Sequence, residues 1–409
     1  MLHRLVIAVL AAALVSLALV AGASAARPVF GIVPQDGALP ASGDLGLMPG
    51  AGIESMRTML HWPSIEKTPG EYDWTEADAV IRETTNRGIQ PLVFLYGLPE
   101  WAARRDNYPC GGPQCTVYAP KSPETRAAFG AFAAAAAARY GPGGSFWEAP
   151  ANAAPAANGG TDTVICEITP ELCPPPPPTD PPPPPPTEPP PPGEPPCGCT
   201  TPSPIRVWQI WNEMNSSKYF APKVNVRRYA AMLRNAAAGI RATDPGAEVM
   251  LGGMWGPYSA RQVVMPTNDY LQDLYDLGAE KSFDSIAIHP YGNNAGASIA
   301  QLRSARRVLV DNHDPGAKMW VTEVGWAGRG PSDNPYVKGL AGQARILTRA
   351  LTAFMSERRD FKLQGVFWYS WRDIKGGETT CDWCGHAGLR AKDGSEKPAW
   401  RAFVRLARR

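Results

Sequence analysis

Residues 205–215 read IRVWQIWNEMN, a run of large apolar side chains that ends at Asn212 and Glu213. Residues 318–326 read KMWVTEVGW and have the same character, with Glu323 near the end of the run. Strands that are apolar almost throughout, rather than alternately apolar and polar, are typical of a parallel sheet covered by helices. Burying a carboxylate beside such a run costs free energy unless the carboxylate is paired with another group. One that is kept there is therefore a candidate for a functional role. The two stretches therefore predict buried parallel strands that carry functional carboxylates.

Six further apolar runs bring the number of predicted strands to eight: PVFGIV (28–33), GIESMRTML (52–60), IQPLVFLYG (89–97), AEVMLGGMW (247–255), FDSIAIHPY (283–291) and LQGVFWYSW (363–371). Helical patterns separate them, for example over residues 75–88, 226–246 and 334–360. Regular alternation of strands and helices predicts an α/β protein with a parallel sheet. With eight strands the predicted fold is a (β/α)8 TIM barrel.

A proline-rich stretch, TPELCPPPPPTDPPPPPPTEPPPPGEPP, occupies residues 169–196 and cannot form the hydrogen bonds of a sheet. One interpretation is a linker between two domains. The strand and helix pattern, however, continues across it. We therefore predict one barrel, with its first part at residues 26–149 and its second part at residues 205–409. The Cys-containing, proline-rich residues 150–204 form a disordered insertion between the third helix and the fourth strand. That helix is predicted to be capped by Ser122, with Pro123 in its first turn and Gly141 at its end.

Residues 1–25 have a basic start, an apolar run and an A-x-A ending, which is the layout of a secretory signal peptide. A membrane anchor is the alternative, because the apolar run is long enough to span a bilayer. We predict cleavage and secretion, with no later membrane contact but with possible attachment to the cell envelope. Export favours disulfides among the eight cysteines. Their spacing suggests local staples: Cys110 with Cys115, Cys381 with Cys384, and a group of Cys166, Cys173, Cys197 and Cys199. A zinc site of Cys381, Cys384 and His386 is the alternative, but it lacks a second half.

The charge balance, 40 Lys and Arg against 38 Asp and Glu, gives no field that would attract nucleic acid. We expect an uncharged partner and a monomeric protein. In a TIM barrel the active site forms at the carboxyl ends of the strands. The residues predicted there are Arg57, His61 and Trp62 on strand two, Trp211, Asn212 and Glu213 on strand four, His289 and Tyr291 on strand six, Glu323 on strand seven, and Trp368, Trp371 and Arg372 on strand eight. Two carboxylates on strands four and seven can face each other across a glycosidic bond, as hydrolysis requires.

These motifs resemble those of clan A glycoside hydrolases. VWQIWNEMN resembles the W-N-E acid/base signature of the clan, and MWVTEVGW resembles its nucleophile strand. The stretch RTMLHWPSIEKTPGEYDW (57–74), the following LPEWA and the later IHPY also look like barrel units of families 5, 39 and 42. The best description is family 39-like or family 5-like, of the cellulase or β-xylosidase type. Met214 departs from the pattern, because many relatives have proline or another residue after the acid/base glutamate, and we expect the local subsite to differ.

The resemblance implies a role for each matching residue. Glu213 is the acid/base and Glu323 the nucleophile of a retaining double displacement. Asn212 binds the sugar 2-hydroxyl, unless it only caps the strand. Arg57 and Tyr291 contact the nucleophile, although Arg57 could instead belong to a structural ion pair. Trp371 forms the platform beneath the sugar, and His289 either supports the site or fills the barrel.

Neither a cofactor nor a metal is required for this chemistry. The implied substrate is a β-linked oligosaccharide or polysaccharide, with xylosides, glucans and mannans all open. Two alternatives remain: a barrel of the cell envelope that binds glycans without cleaving them, and a transglycosylase with the same two carboxylates.

Overall fold

A computed structural model of the chain describes residues 27–34, 39–148, 203–256, 264–374 and 381–409. The predicted signal peptide and residues 150–202 of the predicted insertion lie outside these ranges, and so does the group of Cys166, Cys173, Cys197 and Cys199. The described residues contain the whole of the predicted barrel sheet.

Eight parallel strands close into a barrel in sequence order, with β8 paired to β1, so the predicted fold class is confirmed. Their bounds are β1 Val29–Val33, β2 Ser55–His61, β3 Gln90–Tyr96, β4 Val207–Asn212, β5 Glu248–Trp255, β6 Ser285–His289, β7 Lys318–Val324 and β8 Leu363–Tyr369. Each lies within one of the predicted apolar runs except β2, which extends one residue beyond its run, to His61. All eight predicted runs therefore form strands, as their apolar composition predicts.

Helices connect the strands and cover the outside of the barrel. Their bounds are α1 Ser42–Leu47, α2 Trp62–Ile65, α3 Thr75–Thr85, α4 Glu100–Arg105, α5 Pro123–Tyr140, α6 Ser145–Glu148, α7 Val226–Thr243, α8 Thr267–Asp276, α9 Ala295–Asp311, α10 Leu340–Ser356 and α11 Pro398–Ala407. Short 3-10 turns add Pro49–Ala51, Gly112–Val117, Glu280–Ser282 and Cys384–His386. Helix α5 has the predicted ends: the Ser122 side chain accepts from the Thr125 backbone N–H, and Gly141 follows the last turn.

Two apolar layers hold the barrel together. The larger layer lies between the sheet and the helices, where outward strand residues such as Ile32 and Ile210 meet helical residues such as Phe129 and Leu347. A smaller cluster, containing Leu92, Met250, Ala287, Trp320 and Phe367, combines inward residues of several strands. Each of these five residues comes from a different strand, which agrees with the filled interior of a TIM barrel.

Two predicted disulfides are confirmed: the Cα atoms of Cys110 and Cys115 are 5.2 Å apart, and those of Cys381 and Cys384 are 5.5 Å apart. The second bond leaves neither sulfur as a free thiolate for the alternative zinc site with His386. Among the described helices, none has both the length and the hydropathy needed to cross a membrane.

Candidate active site

The carboxyl end of β4 turns sharply and aims Glu213 at the barrel mouth. Trp211 and Glu213 have positive φ angles of 77° and 42°, a region that non-glycine residues seldom occupy. The Glu213 backbone N–H donates to the Gly253 carbonyl oxygen at 2.9 Å, which ties the turn to β5. The following Met214 is fully buried in the main core. The departure at Met214 therefore falls on a packing position.

His289, at the end of β6, bonds the Glu213 carboxyl group. Its Nδ1 lies 2.8 Å from Glu213 Oε1, and its Nε2 lies 3.0 Å from Thr322 Oγ1. The imidazole is completely buried because Gly253 leaves room for it: a Cβ atom at Gly253 would overlap the ring. His289 therefore contacts the carboxyl group of the acid/base candidate, and a supporting role was one of the two interpretations of this residue.

Glu323, on β7, receives a hydrogen bond on each carboxylate oxygen. Arg57 Nη1 donates to Oε1 at 2.5 Å, and the Tyr291 hydroxyl donates to Oε2 at 2.9 Å. Arg57 is only 3% exposed and lies over the Phe94 ring, 4.1 Å from the ring centroid. Charge-assisted bonds of this kind stabilise and orient a carboxylate. The structure thus brings Arg57 and Tyr291 to the predicted nucleophile.

Asn212 joins the same cluster through its carbonyl. Arg57 Nη2 donates to Asn212 Oδ1 at 2.8 Å. Because arginine can only donate, this bond fixes which end of the Asn212 amide is the oxygen. The amide NH2 is then the group that Asn212 can offer to a ligand hydroxyl.

The two candidate catalytic carboxylates are close together. One oxygen of Glu213, one ring nitrogen of His289 and one oxygen of Glu323 lie within 4.8 Å of one another. Retaining glycosidases separate their carboxyl groups by about 5–5.5 Å and inverting ones by about 6.5–9.5 Å. The observed approach of Glu213 and Glu323 fits the shorter class.

Burial shifts the pKa values of several groups in the site. It raises the pKa of Glu213 to about 7, against the positive charges of Lys218 and Arg57, which lower it. Burial also lowers the pKa of His289 to about 4, so the imidazole is neutral at pH 7. The pKa of Tyr291 lies well above its usual value, because of burial and the nearby Glu323 charge, and its hydroxyl remains a donor.

The cluster of Glu213, His289 and Glu323 has the donor types of a metal site. Its hydrogen bonds favour a different use. Arg57 and Tyr291 occupy both oxygens of Glu323, and the guanidinium charge opposes a cation there. The arrangement is better suited to acid/base and nucleophilic chemistry than to metal binding.

Trp371 does not join this cluster. It is 2% exposed, and its ring packs edge-on against Trp400 of α11 with centroids 5.5 Å apart. The predicted sugar platform therefore gains no support from the position of Trp371, and its role stays a prediction. A different aromatic group lies beside the nucleophile. Trp383, in the loop stapled by Cys381–Cys384, stacks on Tyr336 at 5.0 Å and contacts Tyr291 at 5.5 Å.

Other residues predicted near the mouth have structural partners. Trp62 and Trp368 are buried in the main core. His61 bonds the hydroxyls of Ser64 and Thr116. Trp62 also donates to the Glu66 carboxylate, which accepts a second hydrogen bond from the Gly70 backbone N–H.

Two functional candidates, Gln209 and Thr322, escaped the sequence analysis. Both are completely buried. Gln209 Oε1 accepts from Arg57 Nε at 2.9 Å, and Gln209 Nε2 donates to Thr322 Oγ1 at 3.4 Å. A polar residue inside an apolar strand was the available signal, because such a residue is costly unless it is hydrogen-bonded. The choice of partner required the three-dimensional structure.

Comparison with solved structures finds the same fold in glycoside hydrolases. A family 39 glycoside hydrolase from Bacteroides cellulosilyticus WH2 matches with a TM-score of 0.60 and 21% identity, over 93% of this chain and 64% of that one. A GH39 β-xylosidase from Caulobacter crescentus matches at 0.57 and 18%, over 94% and 73%. A GH5_18 protein from Streptomyces cattleya, in complex with GlcNAc, matches at 0.59 and 15%, over 94% and 81%.

This chain thus spans slightly less than two thirds of the Bacteroides protein. No protein-family model and no curated protein sequence matches the chain. The structural likeness confirms, at the level of the fold, the resemblance to clan A glycoside hydrolases.

Proposed function

We propose that this protein is a secreted retaining glycoside hydrolase that cleaves β-linked oligosaccharides or polysaccharides. One observation carries the proposal: Glu213 and Glu323 face each other within 4.8 Å at the mouth of a TIM barrel, with opposite environments. Glu213 is buried beside neutral His289, whereas Glu323 accepts bonds from Arg57 and Tyr291. Pairs of carboxylates with different environments divide the acid and nucleophile roles in this chemistry.

In the first step, Glu323 attacks the anomeric carbon while Glu213 gives its proton to the departing oxygen. A pKa of about 7 keeps a large fraction of Glu213 protonated near neutral pH. In the second step, ionised Glu213 removes a proton from water, and that water breaks the bond between the sugar and Glu323. The sugar leaves with the anomeric configuration of the substrate.

Arg57 and Asn212 position the reacting groups. Arg57 reaches Glu323 and Asn212 with two separate nitrogens, so the nucleophile and the Asn212 amide keep a fixed relative placement. The Asn212 NH2 group then donates to the sugar 2-hydroxyl, a contact that strengthens as positive charge develops on the ring. Trp383 and Tyr336 supply an aromatic wall beside Tyr291 for the apolar face of a sugar.

The fold neighbours support a carbohydrate substrate, since one is named a β-xylosidase and another holds GlcNAc. We propose β-xylosides and β-mannosides as the first substrates to try. The signal-like residues 1–25 support the proposal of secretion. We propose a monomer as the working unit, and the position of both carboxylates and their partners on one chain is compatible with it.

A panel of aryl β-glycosides tests the proposal, with Glu323→Gln and Glu213→Ala as variants and Glu71→Gln as an exposed-carboxylate control. Glu323→Gln abolishes turnover of every substrate. Glu213→Ala loses activity on poor leaving groups far more than on good ones, which need little protonation. Added azide rescues Glu213→Ala and yields a glycosyl azide of retained configuration.

Three results would contradict the proposal. Sugar binding without release of phenol by the wild type indicates a glycan-binding barrel. Transfer to added sugar in place of water indicates a transglycosylase. Inverted configuration in the first product of the wild type rules out double displacement.

A further inference from the structure

A chain of hydrogen bonds inside the barrel joins the partner of the nucleophile to the partner of the acid. It runs from Arg57 through Gln209 and Thr322 to His289, and every member is buried. At one end Arg57 bonds Glu323, and at the other end His289 bonds Glu213. The direction of each bond can be deduced from which groups are able to donate.

The Arg57 guanidinium can only donate hydrogen bonds, because it has no acceptor atom. Because Arg57 Nε donates to the Gln209 side chain, the receiving atom is the amide oxygen Oε1, and the other end is the NH2 group. Gln209 Nε2 therefore donates, to the Leu251 carbonyl at 3.3 Å and to Thr322 Oγ1 at 3.4 Å. The orientation of the amide is thus set by the arginine.

Thr322 transmits this orientation to His289. Its hydroxyl accepts from Gln209 and has one proton to give. Within the described part of the chain, His289 Nε2 at 3.0 Å is the other partner of Thr322 Oγ1. If Thr322 donates to Nε2, that nitrogen is unprotonated, and the single proton of the neutral imidazole is on Nδ1.

The position of Nδ1 agrees with this assignment. It lies 2.8 Å from Glu213 Oε1 and 3.7 Å from Glu323 Oε2, so it faces two carboxyl groups. An Nδ1–H group is attracted to both, whereas a lone pair would be repelled by Glu323. With Glu213 Oε1 accepting from His289, the proton used for catalysis resides on Oε2.

We propose that Gln209 and Thr322 are positioning residues that fix His289 as its Nδ1–H tautomer and thereby place the acid proton of Glu213 on Oε2. The consequence for the reaction rests on the proposed glycosidase function, but the tautomer does not. If Gln209 donated nothing, Thr322 could donate elsewhere and accept from His289 Nε2–H. Glu213 would then donate a hydrogen bond from its Oε1–H to Nδ1, and its proton would be held away from the leaving group.

The tautomer is measured directly by NMR of protein labelled with 15N-histidine. The chain has five histidines, so a His289→Gln variant identifies the signals of His289. A long-range 1H–15N correlation spectrum shows which ring nitrogen carries the proton. We expect Nδ1–H in the wild type, and Nε2–H in the wild type would overturn the proposal even if the protein hydrolyses glycosides.

Three substitutions test the hydrogen-bond relay, the chain of bonds from Arg57 through Gln209 and Thr322 to His289. Gln209→Glu keeps the acceptor for Arg57 but replaces the donor with an acceptor, so Thr322 turns its proton toward position 209 and accepts from His289. We expect the Nε2–H tautomer in this variant. Thr322→Val removes the hydroxyl at nearly constant shape, so only the carboxyl groups beside Nδ1 still favour Nδ1–H. We expect a smaller excess of this tautomer than in the wild type, and Thr322→Ser restores the full excess.

Activity provides the second readout. In Thr322→Val, kcat/KM for a poor leaving group falls by about tenfold to a hundredfold, part of the roughly hundredfold to ten-thousandfold that acid catalysis contributes, while a dinitrophenyl glycoside changes little. Thr322→Ser recovers the wild-type pattern. An unchanged tautomer in Gln209→Glu, or equal losses of kcat/KM on both substrates in Thr322→Val, would overturn the proposed positioning roles of Gln209 and Thr322. A wild type with Nδ1–H that hydrolyses no glycoside would instead refute the proposed function and leave the tautomer assignment standing.

Discussion

Replacing Glu213 with glutamine should stabilise the protein at alkaline pH and leave its stability almost unchanged in acid. Burial raises the pKa of the Glu213 carboxyl from 4.5 to about 7 in the folded protein. A group whose pKa is raised by folding supports stability below its ordinary pKa, and that support is lost as the pH rises through the folded value. Glutamine has nearly the same shape and does not ionise in this range.

The size of the effect follows from the two pKa values. About 2.5 pH units separate them, and each unit corresponds to about 1.4 kcal/mol, which gives a limit of about 3 kcal/mol. Glu213 is 7% exposed, so little solvent screening reduces this figure. Above pH 8 the free energy of unfolding of Glu213→Gln should exceed that of the wild type by up to about 3 kcal/mol. Near pH 4.5 the difference should nearly vanish.

Urea unfolding followed by tryptophan fluorescence at pH 4.5 and pH 8.5 measures both free energies. Glu71→Gln, which changes an exposed carboxylate, controls for the general effect of removing one negative charge. If Glu213→Gln gave the same difference from wild type at both pH values, Glu213 would not be the buried, proton-retaining acid inferred here. A loss of stability at pH 8.5 would contradict the reasoning more strongly.

Three other predictions concern two cations near the carboxylates and the proline-rich segment. Lys218→Met removes a positive charge that lowers the pKa of Glu213; the alkaline limb of the kcat/KM profile should move to higher pH, whereas exposed Lys223→Met should leave it in place. Arg57→Lys keeps one charge but cannot reproduce bonds from three nitrogens, so kcat/KM should fall by about a hundredfold or more with the fold retained by circular dichroism. Deleting residues 174–196 should leave the unfolding temperature and activity unchanged, and loss of either would show that the proline-rich segment is not a spacer.

The fold was predictable because each strand can be recognised from its own sequence, without reference to the other strands. All eight strands are short runs of large apolar residues, and helices with clear ends separate them, as Ser122 and Gly141 show for α5. Local composition and periodicity were sufficient for this step. The order of the strands around the barrel then follows from parallel pairing of consecutive units.

Most of the candidate site was predictable because its residues lie at or just beyond the end of a strand, although Arg57 lies inside β2. Arg57, Asn212, His289 and Tyr291 all meet one of the two predicted carboxylates or a shared partner. Their strand positions bring them to one end of the barrel, so a motif and a strand count are enough to collect them. Their individual roles in catalysis remain predictions.

Aromatic residues were harder to place, because an exposed ring and a core ring have the same sequence character. Trp371 follows β8 at the mouth, yet its ring packs against Trp400 of the last helix. Trp383 lies in a long loop, and only the fold brings it beside Tyr291. Rings of either kind bury large apolar areas, so their neighbours depend on loop paths that periodicity does not encode.

The central claim, that Glu323 is a covalent nucleophile, is tested most directly by trapping the intermediate. A 2,4-dinitrophenyl 2-deoxy-2-fluoro-β-glycoside of a sugar that the enzyme accepts forms the glycosyl-enzyme quickly, and the fluorine slows its hydrolysis by destabilising the oxocarbenium-like transition state. Intact-mass measurement followed by peptide mapping should find one fluoroglycosyl group, attached to Glu323, and no label in Glu323→Gln. A label on any other residue, or turnover of the parent glycoside with no label at all, would contradict the account.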